Sequence, residues 1–218
     1  MGGLGHIFAP SDLSGLTVWL RGDLGVTTVS SNVSVWADQS GNGNHFRQSN
    51  ATLRPAYNSN PLNGQATLTF ASANNLLCDN YLLDPKPRCF VAVFVEGTVS
   101  GTEAIYSGDA ALYAPLSSGA NIYNTTETAT LVGSTAYAYI ANSGATTMDQ
   151  WLNGTEQAAI TSYTNSNRGA TRIGCDAGGA AQFWHGDLAE FMIYNRTLTA
   201  TEITKVRNYV TARYGFSA

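Results

Sequence analysis

The chain has 218 residues, of which 44% are hydrophobic and 12% charged, and its formal net charge is −4. This length suits one large β domain. Globular proteins usually carry ~25% charged residues, so Ser, Thr, Asn, Gln and Gly must cover much of this surface. The 11 lysines and arginines are scattered along the chain. A protein that tracks nucleic-acid phosphates needs a basic stripe, so the composition argues against a nucleic-acid partner.

The start of the chain lacks the basic and apolar regions of a signal peptide, and no apolar run is long enough to span a bilayer. We therefore expect neither membrane insertion nor export by that route. Residues 1–11 combine three glycines with the apolar Leu4, Ile7 and Phe8. Such a segment frays unless it docks on something. It is interpreted either as a disordered tail or as a flexible arm that attaches the domain formed by residues 12–218 to a neighbour.

Short β runs follow one another after the arm, separated by turn residues. The clearest of them are residues 17–20, 33–36, 66–70, 89–95, 135–140, 148–152, 156–161, 171–174 and 188–194. The run 89–95 is apolar on both faces, which predicts a central, covered strand. Asn153-Gly154 predicts a type I′ hairpin, because that turn needs positive φ at both positions.

No alternation of strands and helices is visible, which argues against a parallel sheet. About a dozen antiparallel strands exceed a comfortable open sheet and should pack as two sheets. The sequence therefore predicts an all-β, two-sheet antiparallel jelly-roll sandwich with one short C-terminal α-helix.

The helix is predicted over residues 199–214. Thr199 and Glu202 have the spacing of a capping box, and Gly215 supplies a left-handed stop. Ile203, Val206, Val210 and Tyr214 share one face at helical spacing; they are expected to pack on the sandwich.

Three cysteines, Cys78, Cys89 and Cys175, give an odd count, whereas a disulfide framework favours an even one. Cys78 and Cys89 could meet across a loop. The favoured interpretation is three small, buried thiols.

Three segments carry a resemblance to a known family. They are residues 16–45 with Trp36-Ala37-Asp38-Gln39-Ser40-Gly41, the hairpin 151–154, and residues 184–196 leading into the final helix. Together they resemble the concanavalin A-like lectin/glucanase superfamily, and more narrowly the laminin-G-like domains of phage and bacterial surface proteins. The resemblance implies the sandwich fold. It leaves function open, because that superfamily includes lectins, glycosidases, adhesion modules and virion decorations.

Glycosidases use paired carboxylates that face the substrate together. Asp187 and Glu190 are three positions apart on a predicted strand, so regular alternation places them on opposite faces. On that pattern Asp187 shares its face with Phe191. Glu96 and Glu103 each lack a second carboxylate nearby in the sequence. The prediction is that the chain is not an enzyme and has no catalytic residues.

Glu190 and Asp187 are therefore predicted to be structural polar residues. A carboxylate within an apolar strand must be hydrogen-bonded or paired. We expect Glu190 to accept hydrogen bonds from loop backbone N–H groups, or to pair with Arg21 or His45.

Asp38, Asn42 and Asn44 offer hard oxygens around two glycines, and Ca²⁺ prefers six to eight such ligands. The same residues also form a good turn, because Asn and Asp bond their own backbone and tolerate positive φ. The turn is favoured, with calcium as the candidate cofactor if the loop binds a metal.

Sugar binding needs exposed aromatic faces and convergent amides. A polar, amide-rich middle section supplies both residue types. The candidate glycan-contacting residues are Tyr113, Asn121, Tyr123 and Asn124. The alternating Tyr137 and Tyr139, like the four tryptophans, are assigned to core packing.

Two functions remain. The first is a non-enzymatic structural or decoration protein of a virion, in particular of a bacteriophage, which displays a lectin-like sandwich on the particle. Its partners would be other virion proteins or further copies of itself, contacted through residues 1–11. The alternative is a carbohydrate-binding or adhesion module of a bacterial or phage surface protein, bound to cell-surface polysaccharide.

Overall fold

The computed structural model describes residues 7–80, 87–98, 103–107, 112–113, 131–161 and 170–216. Fifteen strands and one α-helix form within these ranges. The strands are β1 Leu16–Arg21, β2 Val26–Val29, β3 Asn32–Trp36, β4 Phe46–Arg47, β5 Ala56–Leu62, β6 Gln65–Phe70, β7 Leu76–Cys78, β8 Arg88–Glu96, β9 Ala104–Ser107, β10 Leu112–Tyr113, β11 Ala136–Ser143, β12 Thr147–Leu152, β13 Thr155–Thr161, β14 Arg172–Ile173 and β15 Gly186–Tyr194. The helix, α1, is Ala200–Tyr214.

The strands pair antiparallel and form two layers. The first layer runs β5-β6-β15-β8-β11-β12-β13, with β1 also paired to β15, and the second runs β10-β9-β14-β7-β4-β3, with β2 beside β3. A single residue pair, Asn32–Ala56, connects β3 to β5 and makes the ladder continuous. The predicted two-sheet antiparallel sandwich with one C-terminal helix is confirmed.

The main core lies between the two layers. Tyr106 of the second layer packs against Phe90 and Phe191 of the first, with ring centroids 5.4 and 5.1 Å apart. Trp36 and Trp184 are fully buried in the same cluster. The run 89–95 is confirmed as part of the central strand β8, which is covered on both faces.

A second apolar cluster lies on the outer face of the first layer, beneath α1. The capping box is confirmed: Thr199 accepts from the Glu202 N–H, and Glu202 accepts from the Thr199 N–H at 2.8 Å. Glu202 also binds Arg196, whose guanidinium, together with the Thr199 hydrogen bonds, lowers the pKa of that carboxyl to about 2. These contacts fix the start of α1. The apolar face of the helix packs on the second cluster, as predicted. No helix in the described part of the chain is long and apolar enough to cross a membrane.

The described part of the predicted arm, residues 7–11, lies on the same side as α1. Phe8 meets Tyr209 edge-on at 6.4 Å, and the Pro10 carbonyl accepts from the Tyr194 hydroxyl at 3.1 Å. Residues 1–6 lie outside the described residues. Attachment to a neighbour through this arm stays a prediction.

All three cysteines are free and buried. Burial raises the pKa of Cys78 to about 11 and that of Cys175 to about 12. Thiols that stay protonated are weak nucleophiles. The prediction of three small, buried thiols is confirmed.

Candidate functional site

The proposed calcium residues form a closed turn. The two carboxylate oxygens of Asp38 accept from the backbone N–H groups of Trp19, Ser40 and Asn44 and from the Ser40 hydroxyl, at 2.7–3.1 Å. Asn42 and Asn44 direct their amide nitrogens to the carbonyls of Leu16 and Thr17. The described residues contain no group of three His, Cys, Asp or Glu side chains that could hold a metal ion. Asp38, Asn42 and Asn44 therefore have the geometry of the favoured turn.

This turn gives a stability prediction. Asp38→Ala should lower the free energy of unfolding by about 2 kcal/mol, because three backbone donors lose their acceptor. Asp38→Asn, which keeps one acceptor oxygen, should cost less. Urea unfolding with calcium and with chelator measures both points; a calcium-dependent rise in the wild-type midpoint that Asp38→Ala abolishes would restore the metal site.

The predicted opposite orientation of Asp187 and Glu190 is wrong. In the pairing of β15 with β8, Asp187 lies opposite Val95 and Glu190 opposite Val93, and the register shifts between them. Ala189 is the extra residue of a β-bulge, and its carbonyl accepts from the Gly22 N–H where the neighbour of β15 changes from β6 to β1. A bulge inserts one residue and so resets the alternation. Both carboxylates face the outer side.

Both carboxylates are hydrogen-bonded to other side chains of the protein. Asp187 accepts from the hydroxyl groups of Thr67 and Thr69. Glu190 is 1% exposed and lies beneath α1. The two carboxylates on the outer face therefore accept hydrogen bonds from other side chains of the protein.

The partners of Glu190 also differ from the prediction. Its carboxylate accepts from Trp19 Nε1 at 2.5 Å and from the hydroxyls of Tyr209 and Tyr214 at 2.9 and 2.7 Å. Arg213 Nε lies 3.5 Å away. Among the described residues, neither Arg21, His45 nor a loop backbone N–H binds this carboxylate. Burial raises the pKa of Glu190, and the hydrogen bonds from the three rings partly offset that rise.

Glu96 and Glu103, which are isolated in the sequence, meet at one end of the sandwich. Glu103 accepts from the His185 backbone N–H at 3.0 Å and contacts His185 Nδ1 at 3.1 Å. Glu96 contacts Trp184 Nε1 at 3.4 Å. Burial raises the pKa of Glu96 to about 7, and the nearby Glu103 charge adds to the rise. The side chains are 0% and 1% exposed, so the pair is a core feature.

An open polar groove crosses the outer face of the second layer. Arg47 of β4, Leu77 of β7 and Arg172 of β14 stand side by side in register. We call this the arginine groove; its volume is about 530 Å³. It is lined by Arg47, Gln48, Ser49, Leu53, Asn75, Leu77, Cys78, Asp79, Arg172 and Gly179.

The polar groups of the arginine groove are fixed by one another. Buried Asn75 accepts from Gln48 Nε2 at 3.1 Å and from Arg172 Nη1 at 3.2 Å. Arg47 Nε donates to both oxygens of Asp79 at 2.8 and 2.6 Å. Ordered donors beside the exposed Leu77 form a surface that suits a hydroxyl-rich ligand.

Only part of the predicted glycan surface can be placed. Tyr113 lies in β10, the edge strand of the same layer as the arginine groove, with its backbone paired to Ala104 of β9. Asn121, Tyr123, Asn124 and the side chain of Tyr113 lie outside the described residues. Tyr137 and Tyr139 are buried, as predicted.

A larger cavity, of about 680 Å³, lies on the opposite side of the molecule between Phe8 and α1. Its wall includes Ile7, the first described residue. Its lining is more apolar than that of the arginine groove, which therefore suits a hydroxyl-rich ligand better.

A family profile described as "Concanavalin A-like lectin/glucanases superfamily" matches residues 84–204, more than half of the chain. The chain belongs to this superfamily. The match begins before β8 and ends within α1, so it includes the central strand, the hairpin, β15 and the helix cap. A search of curated protein sequences finds no significant match.

Several solved structures resemble the chain at low sequence identity. Domain 4 of AbnA, a GH43 extracellular arabinanase from Geobacillus stearothermophilus in complex with arabinotriose, has a TM-score of 0.62 and 12% identity; the match covers 88% of this chain and 98% of that one. A Trypanosoma rangeli sialidase in complex with the inhibitor DANA has a TM-score of 0.59 and 14% identity, covering 89% of this chain and 33% of that one.

A mutant GH54 α-L-arabinofuranosidase soaked with 4-nitrophenyl α-L-arabinofuranoside has a TM-score of 0.63 and 14% identity, covering 94% of this chain and 60% of that one. The match covers about a third of the length of the sialidase chains. At these identities the likeness establishes the fold alone.

Proposed function

We propose that the chain is a carbohydrate-binding module that holds a glycan in the arginine groove without cleaving it. The observation that carries the proposal is the row Arg47–Leu77–Arg172 on adjacent strands, with Gln48 and Asn75 fixed beside it. Guanidinium and amide groups are hydrogen-bond partners of sugar hydroxyls, and an apolar side chain can contact the C–H face of the ring.

The similarity to a domain-sized relative supports this proposal. Domain 4 of the arabinanase matches this chain over almost its whole length and is described in complex with arabinotriose. That relative is a separate domain of a longer extracellular enzyme. A fold of the same size can therefore bind an oligosaccharide, and the groove supplies a surface for it here.

The carboxylates favour binding over hydrolysis. Glycoside cleavage needs two carboxyl groups flanking the bond, about 5–9.5 Å apart. Among the described residues that line the groove, Asp79 is the only carboxylate, and it is paired with Arg47. Glu96, Glu103 and Glu190 are all at most 1% exposed.

The test is calorimetric titration with a panel of oligosaccharides that includes arabinotriose. Arg47→Ala and Gln48→Ala should each weaken binding of the best ligand by about tenfold or more, because each removes a fixed donor from the groove. Both side chains lie on the surface of the groove, so the unfolding midpoints should change little.

Lys205→Ala is the matched control, since Lys205 is an exposed cation on α1, on the opposite side of the molecule. It should leave binding unchanged, as should deletion of residues 1–6. If no oligosaccharide binds, or if the best ligand is hydrolysed and Glu96→Gln or Glu103→Gln stops that hydrolysis, the proposal fails. Display on a virion stays a prediction from the sequence, independent of this test.

A further inference from the structure

Arg172 differs from Arg47 in having no acidic partner. Its Nε donates to the Ala177 carbonyl at 3.4 Å and its Nη1 to the Asn75 side chain at 3.2 Å. Within the described ranges it forms no ion pair, and Nη2 has no hydrogen-bond acceptor. Asp176, in the following loop, instead accepts from the backbone N–H groups of Ala180 and Ala181. Arg172 therefore brings an unneutralised positive charge to the groove.

The guanidinium of Arg172 is held in place rather than free to swing into solvent. Asn75, which is 2% exposed, accepts from both Arg172 and Gln48. Gly179 closes the other side: a Cβ at this position would lie 2.7 Å from Arg172 Cζ, and the residue has φ +75°. A guanidinium fixed in this way loses little freedom when it binds an anion.

The charge of the groove lining also favours an anionic ligand. The described residues that line the groove carry two guanidiniums and one carboxylate, whereas the whole chain has a net charge of −4. Arg47 and Asp79 neutralise each other, so the excess charge sits on Arg172. Free N–H groups on a guanidinium match the two oxygens of a carboxylate.

We propose that the arginine groove selects carboxylate-bearing sugars, such as uronic acids, through Arg172. This inference rests on the proposed carbohydrate-binding function. Arg172 binds the sugar carboxylate, while Gln48 and Arg47 meet neighbouring hydroxyl groups.

The experiment compares ligands that differ only in the acid. Tri-galacturonic acid and its methyl ester are titrated into the wild-type chain, and sialyllactose and its methyl ester form a second pair that separates the two sources of a sugar carboxylate. For at least one pair, the free acid should bind about tenfold more tightly than its neutral partner. That preference should shrink when the salt concentration rises from about 0.05 M to about 0.3 M.

Arg172→Gln should abolish the preference, because the affinity for the free acid falls by about tenfold more than the affinity for its neutral partner. Arg172→Lys, which keeps the charge but not the fork of donors, should retain an intermediate, salt-dependent preference. Equal loss of acid and neutral binding in both variants, at an unchanged unfolding midpoint, would mean that Arg172 only shapes the groove, and would overturn the inference.

The two proposals fail in different ways. If the wild-type chain binds neutral oligosaccharides such as arabinotriose as tightly as the acids, selection for carboxylates is wrong and carbohydrate binding stands. If it binds neither class, the proposed function itself is wrong.

Discussion

Glu190→Ala should lower the free energy of unfolding by about 3–5 kcal/mol, the usual cost of removing one member of a buried charged network. The side chain is 1% exposed and joins three elements: β15, which carries it, β1 through Trp19, and α1 through Tyr209 and Tyr214. Its removal leaves one indole N–H and two phenol hydroxyls without their acceptor in an apolar layer. Each such buried donor costs about 1–3 kcal/mol.

The measurement is urea unfolding at neutral pH, with Asp149→Ala as the matched control. Asp149 is an exposed carboxylate on a strand, so its loss should cost less than about 0.5 kcal/mol. Glu190→Gln keeps an acceptor for two of the rings and should fall between the two. A Glu190→Ala cost no larger than that of Asp149→Ala would contradict a central role for this carboxylate.

A double-mutant cycle identifies which element the carboxylate holds. Tyr214→Phe removes only the hydroxyl that donates to Glu190, and should cost about 1 kcal/mol. Because the two groups are in contact, the double variant should cost less than the sum of the single variants. Additivity would mean that the hydrogen bond between Tyr214 and Glu190 does not stabilise the position of α1.

The elements that could be predicted from the sequence are those whose signal is local. The α1 cap needs only Thr199 and Glu202, three residues apart, and the hairpin needs only Asn153-Gly154, whose φ values are 46° and 79°. The long apolar run of β8 also stands out without any partner. In each case the residues that carry the signal are neighbours in the chain.

The arginine groove was missed because its strands are too short to carry a periodic signal. β4 and β14 have two residues each and β7 has three. Arg47, Leu77 and Arg172 come together only through the cross-strand register, which depends on pairings between residues far apart in sequence. The meeting of Glu96 with Glu103 has the same cause, since both lie beside the chain at Trp184-His185.

The bulge at Ala189 shows a different limit. Strict alternation predicts opposite faces for Asp187 and Glu190, and one inserted residue reverses that result. The insertion coincides with the point where β15 exchanges β6 for β1, a feature of the assembled sheet. A local pattern cannot reveal it, because Ala189 is an ordinary strand residue in the sequence.

Glu96→Gln should raise the stability of the domain at about pH 8 by about 2–3 kcal/mol and have little effect at about pH 4. Burial, with the Glu103 charge, raises the pKa of Glu96 from 4.5 to about 7 in the folded chain. Between these values the folded chain keeps a proton that the unfolded chain has lost, so the wild-type stability falls as the pH rises. The contribution is fully present below about pH 4.5 and is lost through about pH 7. Glutamine stays neutral throughout and removes this loss.

The decisive quantity is the difference in unfolding free energy between Glu96→Gln and the wild type, measured by urea unfolding from about pH 4 to about pH 8. Glu190, whose pKa is also raised, adds a slope of the same sign to both proteins and cancels in this difference. Glu202, whose pKa is lowered to about 2, adds a slope of the opposite sign below about pH 5, and this slope also cancels because both proteins carry it. Glu156→Gln, at an exposed position on β13, is the control and should show no pH-dependent difference. A difference for Glu96→Gln that is constant across the range would mean that this carboxyl ionises as it does in water, and that the buried end of the sandwich is open to solvent.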